Sequence, residues 1–500
     1  MTTLDGLEEI ALSTTTPPES GKLSIPTKLF YGFGSVAFGV KDQGFSYLLL
    51  IFYNQVVGLP SATVGLAIMI ALMFDSLLDP IMGQVSDNWR SKWGRRHPFM
   101  YAAAVPVAVS YLLLWNPPNW SHEALFFYLI VVAVIIRSFI TMYEIPSAAL
   151  APELTTDYDE RTKVLSYRYF FGWFGGLTMT VLALQVFLRP DATHPVGQLN
   201  PAGYQTYALV ASAIMFGAIM ISAMGTHRHI ARFKTPPQRK VSLGQLAREM
   251  LGTLSHRSFL VLMGAGLFNA MASGLVLSLS LYFNTYFWEL TSGQIAALAG
   301  ANFVSAALAF GLAAPLAKSL GKKTAAQLTK ILAFAISFTP IGLRLLDVFP
   351  GNESPSLVPL LFLQTTLSTG FSIMSAILIS SMIADVVEDS ELRTGRRSEG
   401  LFFSAAAFIA KAVSGVGIFA SSMILLAIAF PQDAKPGAVS VDVIRDLGVV
   451  YLIVLASLYA AAITCVSLYR ITRAGHEATL SQLAAAAAKV EEGEGPAHIA

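Results

Sequence analysis

Charge is scarce in this chain. Only 13% of its 500 residues are Asp, Glu, Lys or Arg, against ~25% in a soluble domain. The polar surface that water demands is missing, so a bilayer is the implied solvent. Cysteine is scarcer still. Cys465 stands alone, which excludes an internal disulfide and a cysteine-held metal cluster. A secretory signal peptide is also missing. Residues 1–28 are polar, include STTTPPES, and read as a flexible lead-in, so the first apolar segment is expected to serve as both address and first span. The 8 histidines sit mostly in loops such as THRH and SHR. No nucleophile–base pair or metal spacing appears, which argues against an enzyme, and no cofactor is expected. The loop basics are too ordinary to suggest nucleic acid.

Apolar residues are abundant, at 54%. A membrane-spanning helix needs ~20 of them in a row or nearly so. About twelve such stretches can be placed, near 29–57, 62–87, 97–115, 124–150, 165–188, 203–226, 258–288, 293–318, 323–346, 356–386, 400–430 and 446–471. The basic residues gather on alternate connections, among them Arg90, Lys92, Arg95, Arg96, Arg161, Lys163, Lys318, Lys322, Lys323, Arg393, Arg396 and Arg397. The other connections hold only Arg189, Lys435 and Arg445. This asymmetry places both termini in the cytoplasm. The expected setting is a plasma membrane, the inner one in a Gram-negative bacterium.

The longest polar break, 227–257, divides the chain into six spans and six. The expected organisation is a cytoplasmic tail (1–28), a six-helix half (29–226), a basic cytoplasmic linker (227–257), a second six-helix half (258–471) and a cytoplasmic tail (472–500). A faint repeat supports duplication. GQVSDNWRSKWGRR follows the second span and GLAAPLAKSLGKK the eighth, equivalent places in two halves of a transporter.

A charge at the bilayer centre costs ~2.5–3.5 kcal/mol on insertion scales, so each one inside a span needs a reason. Lys41, Asp42, Asp75, Asp79, Arg137, Glu144 and Lys411 all lie there. Asp75 and Asp79 are four residues apart, so both carboxylates leave one helix face, one turn apart. Such a pair repels itself unless a cation lies between the acids or one holds a proton. A monovalent metal cation held by Asp75 and Asp79, a shared proton, and pairing with a basic residue of a neighbouring helix all remain open. Lys41 and Asp42 point about 100° apart and should not face one neighbour; Asp42 is the better acceptor for polar solute groups. Glycines at 32, 34, 39 and 44 permit close helix approach. Arg137, Thr141 and Glu144 form one polar stripe, and Arg137 is read as an anchor for an anionic cargo. Tyr47, Tyr53, Tyr143 and Trp173 are read as packing.

Charges at the span ends read differently. Asp385 and Glu388 lie near Arg396, and Asp87 near Arg95 and Arg96. They are expected to form cytoplasmic ion pairs that hold helix ends together. If two halves rock, such pairs should open and close.

Four stretches together resemble the glycoside–pentoside–hexuronide:cation symporter family of the major facilitator superfamily: YGFGSVAFGVKDQGF, FDSLLDPIMGQVSDNWRSKWGRRHPF, YEIPSAALAPELTTDYDERTKVLSYRYFF and IADVVEDSELRTGRRSEGLFFS. The resemblance covers nearly the whole chain. It implies an all-α membrane protein with the twelve-helix major facilitator fold in two six-helix halves, working by alternating access. It implies that Asp75, Asp79 and Thr141 bind the coupling ion, sodium or a proton. It implies sugar contacts from Asp42 and Glu144 with Arg168 beside the site, Lys41 in the Lys-Asp pair, and Lys411 bridging from the second half. The chain departs from melibiose-type members at Glu144 (often Asp), Ala148 (a tryptophan) and Leu78 (an Asn), and Arg137 is an added cation. The expected function is cation-coupled import of a small polar solute such as a sugar, glycoside or uronide, by a monomer in the lipid bilayer. A lysolipid carrier of the same family and a non-transporting sensor are the alternatives.

Overall fold

The computed structural model describes residues 23–155, 157–230, 257–394 and 399–469, with isolated positions beyond them. Most of the first tail, most of the linker, most of the last tail and Arg396 lie outside the described residues. Every regular element among them is helical, and eleven helices are long and apolar enough to cross a membrane.

The twelfth span is the first in the chain. It is built from shorter pieces: Ile25–Phe33 and Ser35–Gln43, then π-helical turns at Gly44–Leu48 and Phe52–Val56 flanking Leu49–Ile51. We call this composite α1. The others are α2 (Ser61–Asn88), α3 (His97–Leu114), α4 (His122–Ala148), α5 (Tyr158–Leu182), α6 (Pro201–His227), α7 (Arg257–Tyr282), α8 (Ser292–Leu320), α9 (Lys322–Leu345), α10 (Leu357–Thr394), α11 (Glu399–Ala427) and α12 (Val441–Ser467).

Several helices overrun their apolar stretch, because caps rather than hydropathy set their ends. Asp157 accepts a hydrogen bond from the Glu160 amide at 2.7 Å, so α5 begins before the apolar run. Ser440 caps α12 in the same way. Glu388, Glu391 and Arg393, good helix formers, help carry α10 on to Thr394. Thr291 and Gln294 form a capping box at the start of α8. Gly321, at φ 78°, makes the turn between α8 and α9, a conformation that costs glycine little.

α1 lies directly on α5. A Cβ placed on Gly39 would sit 1.9 Å from the Gly172 carbonyl oxygen, so only backbone fits there. Helices α1–α6 meet α7–α12 along three lines: α2 on α11, α5 on α8, and α1 on α7. At the second line Trp173 and Phe174 lie against Phe303, with ring centres 5.8 and 5.3 Å apart.

The two ends of the bundle differ. At the end where α1 starts and α12 stops, the ion pairs seen stay within one six-helix set. Arg95 reaches Glu153 at 2.7 Å, and Arg96 reaches both Glu153 and Asp87. Lys322 pairs with Asp385 at 2.5 Å. Asp87, Arg95, Arg96 and Asp385 thus hold helix ends together at this end, and the pairs seen lie within one helix set. They tie each loop to its own helices, because the short turns place the partners there. At the opposite end, neutral hydrogen bonds cross between the sets. Tyr282 donates to Asn54 at 2.7 Å, and Gln55 meets Tyr286 at 3.1 Å and the Ala434 amide at 2.9 Å. Gln198 reaches Thr285 at 3.1 Å and receives Ser292 at 2.9 Å.

Candidate functional site

α2 carries the centre of the site. Asp75 and Asp79 leave it on one face, as their spacing requires. α4 lies alongside and presents Arg137 and Thr141, also one turn apart. Arg137 Nη1 donates to Asp75 Oδ2 at 2.6 Å. The Thr141 hydroxyl lies 2.7 Å from Asp75 Oδ1 and 3.2 Å from Asp79 Oδ1. Asp75, Arg137 and Thr141 are sealed from solvent, whereas the Asp79 side chain is 26% exposed.

The fourth member comes from the other set of helices. Lys411 of α11 places its ammonium 2.8 and 3.0 Å from the two oxygens of Asp79 and 3.0 Å from Asp75. α11 approaches this closely because Gly415, one turn on, lies against Leu72 and Met69 of α2. The two carboxylates are therefore compensated by two side-chain cations. Of the partners that the one-turn spacing leaves open, the basic side chains of neighbouring helices are the ones in place. The charge-free interior of a bilayer favours such pairing.

Arg137 is spent on Asp75. Its guanidinium also lies 4.5 Å from the Phe45 ring centre, and its Nε has no hydrogen-bond partner among the described residues. That placement makes it a neighbour of the acid rather than an open anchor for an anionic cargo. Lys41 and Asp42, expected to diverge, pair with each other at 2.7 Å. The flexible lysine stem bends across the helix, burying its ammonium while the Asp42 side chain stays 56% exposed. Arg168 donates to the Ser147 hydroxyl at 2.9 Å and to the Glu144 carbonyl at 3.1 Å. It thus braces the last turn of α4. The Glu144 carboxylate has no hydrogen-bond partner among the described residues and lies within electrostatic reach of Lys411 and Asp79. Seven candidates thus come together: Asp75, Asp79, Thr141, Arg137, Lys411, Glu144 and Arg168. Asp87, Arg95, Arg96, Asp385 and Glu388 belong to the end of the bundle.

A cavity of about 350 Å³ lies apart from these charges. Gln43, Tyr47 and Trp173 line it from α1 and α5, and Asn284, Asn302 and Gln364 from the other set of helices. Sequence reasoning assigned Tyr47 and Trp173 to packing and passed over the amides. Uncharged amides in apolar helices cost too little to stand out, and only their convergence marks them.

Residues 30–473 match the model of a family described as MFS/sugar transport protein. Among curated proteins, a symporter from Synechocystis, sll1374, is 27% identical over 82% of this chain and 87% of its own length. The isoprimeverose transporter of Lactiplantibacillus pentosus is 25% identical, covering 76% of each. The mouse sphingosine-1-phosphate transporter MFSD2B is 28% identical, covering 81% of each. Among solved structures, the xylose transporter XylE of E. coli in an inward-open conformation superposes with a TM-score of 0.60. It is 16% identical and covers 91% of this chain and 98% of that one.

Proposed function

The chain belongs to the MFS/sugar transport protein family, and from that premise we propose that it imports a sugar or glycoside coupled to entry of a monovalent cation. Proteins of this family are transporters and not enzymes, and the apolar helices set the chain in a lipid bilayer. The end carrying the ion pairs faces the cytoplasm in this reading, because that is where the basic residues gather. The cargo moves by alternating access between the two helix sets.

One observation carries the coupling. Lys411 spans from α11 to the oxygens of Asp75 and Asp79, occupying the place a cation would take. Asp75, Asp79 and Thr141 offer hard oxygen donors on two helices, a set suited to sodium or to a proton held between acids. A cation entering at Asp75 and Asp79 displaces Lys411 toward Glu144, and the bond between the sets is exchanged rather than lost. The halves then change their relative position only when ion and cargo favour the other state. Asp42 and Glu144 offer the oxygens for sugar hydroxyls.

Uptake into proteoliposomes tests this. Radiolabelled neutral glycosides, a uronide and a lysolipid are offered under a sodium gradient, a pH gradient, or neither. Ion-driven sugar accumulation that disappears in Asp79→Asn supports the reading. Accumulation of the lysolipid alone, or sugar uptake indifferent to both gradients, overturns it. The isoprimeverose and sphingosine-1-phosphate relatives are why both cargo classes belong in the assay.

A further inference from the structure

We propose that the uncharged cavity is a second recognition site, which binds the distal part of an extended cargo and selects a neutral, hydroxyl-bearing ring there. This rests on the sugar-transport reading above.

The cavity's size falls in the ~300–1,000 Å³ range of ligand pockets. Its lining contains no charged side chain. Polar capacity there is unspent. Gln43 has no hydrogen-bond partner among the described residues. Asn302 uses one N–H, on the Ala299 carbonyl at 3.1 Å, and Asn284 makes one long contact, 3.5 Å to the Tyr47 hydroxyl. Each amide has two N–H donors and a carbonyl with two lone pairs, so most of their capacity faces the cavity. Trp173, Tyr47 and Trp288 supply flat apolar faces beside the amides.

That alternation matches a pyranose, whose C–H face is apolar and whose rim is a ring of hydroxyls. Amphipathic aromatics suit the first and amides the second. A carboxylate would meet no cation here, and its desolvation would go uncompensated.

The location supplies the second half of the argument. Gln43 follows Asp42 directly, so one wall of the cavity begins one residue from that acid, which does not itself line it. On the other side, the cross-set hydrogen bonds of Tyr282 and Tyr286 lie within two residues of Asn284. The cavity thus occupies the space between the acid site and the closed end. Gln43 is held there because its Cγ packs beside Gly176, 3.0 Å from where a Cβ would stand. A cargo with one ring at Asp42 and Glu144 extends its second part into this space.

The test is competition uptake in proteoliposomes, comparing methyl glycosides, phenyl glycosides, neutral disaccharides and a disaccharide whose distal ring is a uronic acid. The wild type is expected to prefer the neutral disaccharide over the methyl glycoside by about tenfold in KM, and over the acidic disaccharide by at least as much. In Asn302→Ala and in Gln364→Ala the ratio of disaccharide to methyl glycoside KM should rise about tenfold, toward one, with the ion dependence of uptake retained. A ratio that stays at the wild-type value in both variants overturns the second site, as does equal affinity for the acidic disaccharide. Failure of the transport reading looks different: no sugar of any length accumulates in the wild type. If one variant fails to assemble, judged by its melting in detergent, the other still decides the ratio.

Discussion

The Lys411 ammonium sits 2.8 Å from Asp79, and those two residues belong to opposite sets of helices. The pair is partly exposed on both sides, so water weakens it. Its value lies less in strength than in position, since with the Lys411–Asp75 contact it carries charge across the α2–α11 line.

Lys411→Gln should cost about 1–3 kcal/mol of stability in detergent, because Asp79 keeps its charge and loses its partner. Asp79→Asn should cost a similar amount. The double variant should cost less than the two single losses together, the signature of residues that interact. Thermal melting of the four proteins checks this; simple additivity would show that the contact carries no energy.

Asp75 and Arg137 are fully buried, so their separation should cost more. Asp75→Asn is expected to destabilise by about 3–5 kcal/mol, leaving an uncompensated guanidinium. Adding Arg137→Gln should recover much of that loss. Ion-driven uptake should stay absent in the double variant, because the carboxylate charge is still missing. Recovery of both stability and ion dependence would remove Asp75 from the cation site.

Gln55 holds the closed end through Tyr286, the Ala434 amide and the Pro431 carbonyl. Three hydrogen bonds at ~0.5–1.5 kcal/mol each put the effect of Gln55→Ala at about 1.5–4.5 kcal/mol toward the state open at that end. With Cys465→Ser as background, a cysteine introduced at Asn284 should react with a membrane-impermeant thiol reagent at least about tenfold faster in the Gln55→Ala protein. An unchanged labelling rate would show that this network does not hold the end shut.

Gly39→Val should weaken the fold by more than the ~1–3 kcal/mol usual for overpacking, since the added carbon meets backbone at 1.9 Å. Gly217→Ala, which meets nothing within 4 Å, is the control. Equal melting temperatures for the two would contradict the contact between α1 and α5.

Acid should loosen the start of α5. Lys28 hydrogen-bonds Glu160, outside the membrane-spanning part of α5, and holds its carboxyl below the ordinary value of 4.5. A carboxyl depressed in the folded state stabilises above its unfolded value, and that contribution is lost as pH falls through the folded one. Stability should therefore drop below pH 4.5, and Glu160→Gln should flatten that part of the profile. A profile identical to the wild type would exclude Glu160 as the cause.

Much of this was legible in the residues themselves. Twelve apolar stretches and the one-turn spacing of Asp75 and Asp79 follow from helix geometry and the cost of charge in hydrocarbon. The nearness of Lys411, 332 positions from Asp79 along the chain, is a tertiary fact with no local signature. The pairing of Lys41 with Asp42 was misread because backbone direction was weighed and side-chain reach was not. The π-helical turns of α1 contain no proline and left no mark. The cavity amides were hidden by their modest polarity, which apolar helices tolerate singly.

The seam between Gly39 and Gly172 has one more consequence. With no side chain to cushion them, the two backbones touch at Gly39 and Gly172, and Trp173, the next residue of α5, lines the cavity. A displacement of α1 at Gly39 therefore presses directly on the segment of α5 that carries an aromatic wall of the cavity.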